Sequence, residues 1–513
     1  MQLGTLLSYS LPAVLALPML AAAWSWQSTR WAFAQCAMGT ATLLALLSWL
    51  VVLLSGDFAS TAEWLNSGIL NVTMLGLISF IAFIVLNYAK TNFVADKDNQ
   101  RFLRWFLLTV SAVMFTVSSN HLLVFFAAWV AISLSMHQLL MFYPERNRSA
   151  LAAHKKFIFA RLAELCLAAA FFLLYQQHQT LVITEILSAY PAAELNAQQQ
   201  LAAVLLGLAA LIKCAQLPLH GWLIQIVESP TPVSALMHAG IINLGGFLLL
   251  SFAPLFSQAQ FAQWLVLVVA GLTTVIAALV MTTRISIKVR LAWSTTAQMG
   301  LMLVECALGL YELALLHLLA HSCYKAYAFL NSGQAVDEFM QKQYTNPRLV
   351  SAANWLWAGA VSVGFLLVIG FTVGLPAPYS PWLLIGLALT FVLANHLNQR
   401  QSLSIAKTLA FSAALLASYY LLKTGMGLLL PKVEHHYVLG ADLWIGVLFV
   451  ALFMLQLLLQ YRAQSPAMRK LFIALNAGFY LDEWATRITH AIWAVPLPKN
   501  AVQTRLSLTE VKS

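Results

Sequence analysis

Predominantly apolar stretches of bilayer length recur along this chain, and nothing constrains its fold more. A helix crossing the hydrocarbon core needs ~20 such residues. About fifteen runs of that kind lie near 3–24, 32–55, 68–89, 105–119, 122–143, 157–176, 200–217, 232–252, 262–282, 291–309, 313–335, 351–373, 382–397, 403–423 and 440–461. Of the 513 residues, 61% are hydrophobic and 9% charged, where a soluble domain carries about 25% charged. That balance excludes a soluble enzyme, a disordered chain and a secreted disulfide scaffold. The fold class expected is an all-α polytopic membrane protein with about 15 transmembrane helices, 13 at the fewest.

The net charge of +10 points to membrane sidedness, not to nucleic acid, because the bases cluster between apolar runs. With the N-terminus outside, 23 Lys and Arg fall on the cytoplasmic side, including Lys155 and Lys156. Only Lys423 and Lys432 fall outside. The reading is N-out, C-in. The five cysteines lie in or beside apolar runs and read as small core residues. No cleaved signal peptide is expected, since the first base, Arg30, follows the first apolar run. Residues 466–496 form an amphipathic stretch expected on the membrane or under the bundle.

Charges inside the runs carry the functional signal. Each costs ~2.5–3.5 kcal/mol at mid-bilayer on insertion scales, and persists by pairing or by lining a polar path. Span six holds Arg161 and Glu164, three residues apart and so able to pair. Span seven holds Lys213, five residues before Pro218, a helix breaker. A lysine held away from water can exchange its proton near neutral pH. Span eight opens after Pro230 and Pro232 and carries His238, a residue suited to proton relay. In span eleven His317, His321 and Lys325 recur every four residues as one helical stripe. Glu305 in span ten, and Ser133 with His137 in span five, are weaker candidates.

No metal site is expected, because no nearby acid completes the His317–His321 spacing. Phosphate-binding, dinucleotide and iron–sulfur motifs are absent. No cofactor is expected in this chain, and no catalytic residue.

Three motifs occur in order: Lys213 to Gly246 (KCAQLPLHGWLIQIVESPTPVSALMHAGIINLGG), Ser294 to Gly300 (STTAQMG) and His317 to Gly333 (HLLAHSCYKAYAFLNSG). They resemble the antiporter-like subunits of respiratory complex I and Mrp antiporters over residues 100–335. That resemblance implies two inverted five-helix repeats with broken helices, at 101–255 and 256–400. Helices 1–100 would precede them, and helices 401–465 and a cytoplasmic amphipathic tail, 466–513, would follow. It assigns a cation path to Glu164, Lys213, His238, His317, His321 and Lys325. Two features depart from the pattern. Val130 follows Trp129 where the family has a glutamate, and span twelve has no charge. With HAGIINLGG and FYLDEW (Phe479 to Trp484), they are most similar to the DabB family, membrane subunits of DAB inorganic-carbon accumulation complexes in bacterial inner membranes. The resemblance implies a large cytoplasmic partner, DabA, carrying zinc. The partner would hydrate CO2 to bicarbonate, coupled to proton or sodium inflow through this chain. The alternatives are a subunit of a cation/proton antiporter or complex I-like pump, and a passive membrane anchor for a soluble enzyme.

Overall fold

The computed structural model describes residues 2–25, 31–55, 63–93, 96–143, 146–190, 194–334, 349–372, 374–397, 405–431, 433 and 436–493. Among them the regular structure is helical, with two isolated bridges. In chain order the long helices are α1 (Gln2–Trp24), α2 (Trp31–Ser55), α3 (Ile69–Asn92), α4 (Asn99–Ser118) and α5 (Leu122–Leu140). Then come α6 (Asn147–His178), α7 (Ala197–Lys213), α8 (Thr231–Ser251), α9 (Gln260–Thr282), α10 (Ile287–Ala307) and α11 (Tyr311–Leu330). Last are α12 (Ala352–Thr372), α13 (Ser380–Leu397), α14 (Ile405–Leu429) and α15 (Leu439–Tyr461), followed by the tail helices α16 (Pro466–Asn476) and α17 (Glu483–Ile492).

Among the described residues, eleven helices are long and apolar enough to cross a membrane, and α1, α7 and α13 contain shorter apolar stretches. The order follows the apolar runs, including the two shortest, near 105–119 and 382–397. Exposed Leu356, Phe371, Leu421 and Leu428 on α12 and α14 fit a lipid-facing surface.

Helix α8 is the centre of the bundle, with 94% of an 18-residue apolar stretch within it buried. It packs on α3, α7, α10 and α11. The approach to α7 needs Gly245, because an added Cβ would stand 2.8 Å from the Ala210 carbonyl oxygen. Small residues let buried membrane helices approach this closely.

Three expectations are corrected. Lys155 and Lys156 do not sit in a cytoplasmic loop; both are buried on α6. At 32 residues, α6 is about 48 Å long and exceeds the ~30 Å hydrocarbon core, so its basic first turns are helical too. Lys423 is likewise helical, on α14, 3.9 Å from Glu312. Cys214 and Cys306 are core residues, but Cys36 and Cys323 are exposed.

The amphipathic stretch folds as α16 and α17, joined by a bend at Phe479 and Tyr480, both at positive φ. Helix α17 packs on α6, and α16 on α9 and α15. Residues 494–513, the rest of the expected tail, lie outside the described residues.

Candidate functional site

Helix α7 ends at Lys213, and the chain unwinds there. Ala215 takes a positive φ, and a short helical turn resumes at Gly221–Gln225, after Pro218. Backbone groups freed inside a membrane need partners. Gln216 Nε2 donates to the Cys214 carbonyl (2.8 Å), and Leu217 N donates to Thr273 Oγ1 (3.1 Å). The break is therefore held by α9 and by its own loop.

It delivers the Lys213 ammonium to a pocket between α5, α6 and α8. Nζ lies 4.4 Å from the Trp129 ring centroid, a favourable place for a cation. The pocket is also lined by Ser133, Lys156 and Glu164. Glu164 Oε1 accepts from Ser133 Oγ (2.6 Å) and from Arg161 Nη2 (2.8 Å). Arg161 also bonds Ser133 Oγ, and Lys156 Nζ donates to the Ser133 carbonyl (3.0 Å). The Arg161–Glu164 pair expected from their spacing thus forms, and a serine from α5 completes it. Two ammonium groups and a guanidinium gather around one carboxylate, so a proton on one alters the others. Sequence reasoning missed Lys156. The lysine pair Lys155–Lys156 looks like a solvated run, and only the helical turn sends the two side chains to different places.

On the other side of α8 lies a second polar group. Residues Met237–Ile241 form a π-turn, a distortion frequent at functional positions. Pro230 and Pro232 start the helix below it, as cap and first-turn residue. Met237, Ile241 and Ile242 wall the lysine pocket. His238, in the same turn, is fully buried, stacks on Phe329 (4.3 Å) and bonds Thr295 Oγ1 through Nδ1 (3.1 Å). The π-turn is thus a septum between the two groups. Lys325, also fully buried, donates to Ser294 Oγ (2.6 Å) and to the Leu291 carbonyl (3.0 Å). Thr295 and Ser294 both belong to STTAQMG, whose hydroxyls hold the histidine and the lysine.

Farther along α11, His317 Nδ1 lies 3.0 Å from Glu305 Oε2. The acid that local spacing did not supply comes from α10. His321 is buried, and neither ring nitrogen has a hydrogen-bond partner. Among the described residues no group of three or more His, Cys, Asp or Glu could hold a metal. His137 stands apart from the lysine pocket, bonded to the Ala153 carbonyl (3.3 Å) and near His154 and Trp493.

The tail reaches the broken helix. Lys155 Nζ, on α6, meets Asp482 Oδ2 at 2.6 Å and Thr486 Oγ1 at 2.8 Å. Gln225 Nε2 donates to the same carboxylate (3.2 Å). Burial pushes the Asp482 carboxyl up from its ordinary value, against the pull of the Lys155 ammonium. An added Cβ on Gly221 would overlap this carboxylate. FYLDEW thus packs onto the restart of the broken helix.

Residues 119–377 match the family described as NADH:quinone oxidoreductase/Mrp antiporter, TM. The probable inorganic carbon transporter subunit DabB of Hydrogenovibrio crunogenus is 49% identical over 444 residues, 86% of each chain. Subunit DabB2 of Halothiobacillus neapolitanus is 36% identical over 439 residues, 83% of this chain and 79% of the relative. The fold resembles the structure of the Mrp complex from Dietzia sp. DQ12-45-1b, with a TM-score of 0.59 and 19% identity. That match covers 96% of this chain and 60% of the Mrp chain. By its sequence, its helical membrane architecture and its broken-helix motifs, the chain belongs to the DabB family of inorganic carbon transporter subunits, within the antiporter-like membrane subunits of Mrp and complex I type.

Proposed function

We propose that this chain is the cation-carrying membrane subunit of a two-component inorganic-carbon pump in the bacterial inner membrane. Protons or sodium ions move inward past Glu164, Lys213, His238, His317, His321 and Lys325. Their movement drives CO2 hydration to bicarbonate in a large, soluble, DabA-like zinc protein on the cytoplasmic face. This chain holds no catalytic residue or cofactor in that scheme. Fifteen spans run N-out to C-in, with inverted repeats at 101–255 and 256–400.

One observation carries the reading. The broken helix ends on Lys213, in a pocket shared with Lys156 and Glu164. A lysine serving only to lock helices together would close onto a carboxylate. Lys213 forms no ion pair among the described residues, and its ammonium rests over Trp129. An ammonium without a fixed counter-ion, at a break in a membrane helix, suits ion or proton transfer. Glu164, now held by Arg161 and Ser133, couples to Lys213 by moving between the two. His238, on the septum, links that pocket to the α11 stripe.

The antiporter or complex I-like alternative draws on the family match. The degree of identity to inorganic carbon transporter subunits favours the carbon pump. The test is labelled inorganic-carbon uptake in a carbonic-anhydrase-deficient bacterium expressing this chain with its soluble partner. Uptake should need both proteins and collapse with an uncoupler. No uptake from well-expressed protein would favour the antiporter. Uptake indifferent to the uncoupler would favour the passive anchor.

A further inference from the structure

A second cavity lies at the far end of α10 from the basic cluster Arg284, Lys288 and Arg290, on the side the charge distribution assigns to the outside. It measures about 110 Å³, room for several waters. The lining includes Glu305, Ser380, Tyr419, Leu313, Ile445 and Phe449. Glu305 is buried, and both its carboxylate oxygens face His317 Nδ1, at 3.0 and 3.2 Å. Ser380 is 3% exposed and its Oγ has no partner. His317 Nε2 has none either. Nearer the start of α11, Glu312 faces Lys423, whose ammonium also lies 5.6 Å from the Trp382 ring. Trp382 in turn packs edge-on to Tyr419.

We propose that Glu305 and His317 form the outer proton-loading site of this chain. This rests on the cation-translocation reading above and extends it to the ion and the door. The donors decide between ions. A metal cation needs several oxygen ligands to replace its water. This cavity offers one hydroxyl, one phenol and a carboxylate already engaged by an imidazole, among Leu, Ile and Phe. A carboxylate against an imidazole whose second nitrogen is free is suited to pass protons.

The step balances. With the His317 proton starting on Nε2, a hydronium entering the cavity from outside gives a proton to a Glu305 oxygen and is left as water. That O–H bond breaks as His317 Nδ1 takes the proton. The ring then gives up the proton on Nε2 to the next acceptor. The carboxylate is again an anion, and the imidazole is neutral in its other tautomer. His321 lies one turn on, with ring centroids 6.1 Å apart and both nitrogens unpartnered, and is that acceptor.

The test combines access and transport in the uptake strain described above. A Tyr379→Cys chain, altered at the exposed neighbour of Ser380, with Cys36, Cys166 and Cys323 replaced by Ala, should react with a membrane-impermeant thiol reagent added outside intact cells. Absence of labelling would overturn the outer location. Glu305→Gln and His317→Gln should each lower uncoupler-sensitive uptake at least ~10-fold, with Glu305→Asp retaining more, at matched protein level. Replacing external sodium with choline should leave uptake unchanged, and a sodium requirement would overturn the proton assignment. Lys213→Ala separates the two ideas. If it abolishes uptake while Glu305→Gln stays within about twofold, loading at Glu305 is wrong and translocation stands. If neither change affects uptake, the translocation reading itself fails.

Discussion

Glu164 is held by one guanidinium and one hydroxyl, with the ammonium groups of Lys156 and Lys213 on the same pocket. Neutralising the carboxylate leaves three cations facing one another away from water, which is costly. Glu164→Gln and Lys156→Met should each reduce labelled carbon uptake by about 10-fold or more, measured as initial rate at equal protein level. Ser133→Ala removes one donor and keeps the charges, so its loss should be smaller. Most of these residues are legible in sequence for one reason: a charge inside an apolar run is expensive and therefore meaningful. Lys156 was not legible because it lies at the edge of its run, in a basic pair. In the sequence Ser133 is only a weaker candidate grouped with His137 in span five, and the structure sends those two to different neighbours. A serine is cheap to bury, so its presence in an apolar run carries little weight.

At the scale of elements, two close approaches decide how the broken helix is held. Gly245 admits the α7 backbone, and a Cβ there meets a carbonyl that cannot yield. Gly245→Val should therefore lower the amount of folded protein in the membrane, read by immunoblot after extraction. The second approach is Asp482 against Lys155 and Gln225 over Gly221. Lys155 is buried and Asp482 partly exposed, so removing the carboxylate leaves an ammonium buried without its counter-charge, which is destabilising. Asp482→Ala should thus loosen the tail and speed trypsin cleavage near Arg469, Lys470 and Arg487. Lys155→Met combined with Asp482→Ala should restore part of the resistance, because no lone charge then stays buried. Unchanged digestion of the single variant would show that the pair does not fasten the tail. The helices themselves were legible, since lipid permits little else, and so was the break before Pro218. The tail contact was not. Lys155 and Asp482 are 327 residues apart, and nothing local in either segment names the other.

For the whole molecule, a chain of this kind has two jobs, staying in lipid and carrying charge through it. The apolar exterior of α12 and α14 serves the first. The proposed path for the second runs through the two polar groups on either side of the α8 π-turn, beside a helix that stops in mid-bundle at Lys213. The proposed partner and its zinc chemistry leave no mark in this sequence, because the proposal assigns them to another chain. The central claim is that cations pass the Lys213 pocket, and it is tested most directly by comparing wild type with Lys213→Ala and Lys213→Arg. The measurement is uncoupler-sensitive carbon uptake by cells that also express the soluble partner, at equal membrane levels of each variant. Lys213→Ala is expected to abolish that uptake, with Lys213→Arg unable to restore it fully because a guanidinium does not readily release its proton. Wild-type uptake by Lys213→Ala would contradict the claim.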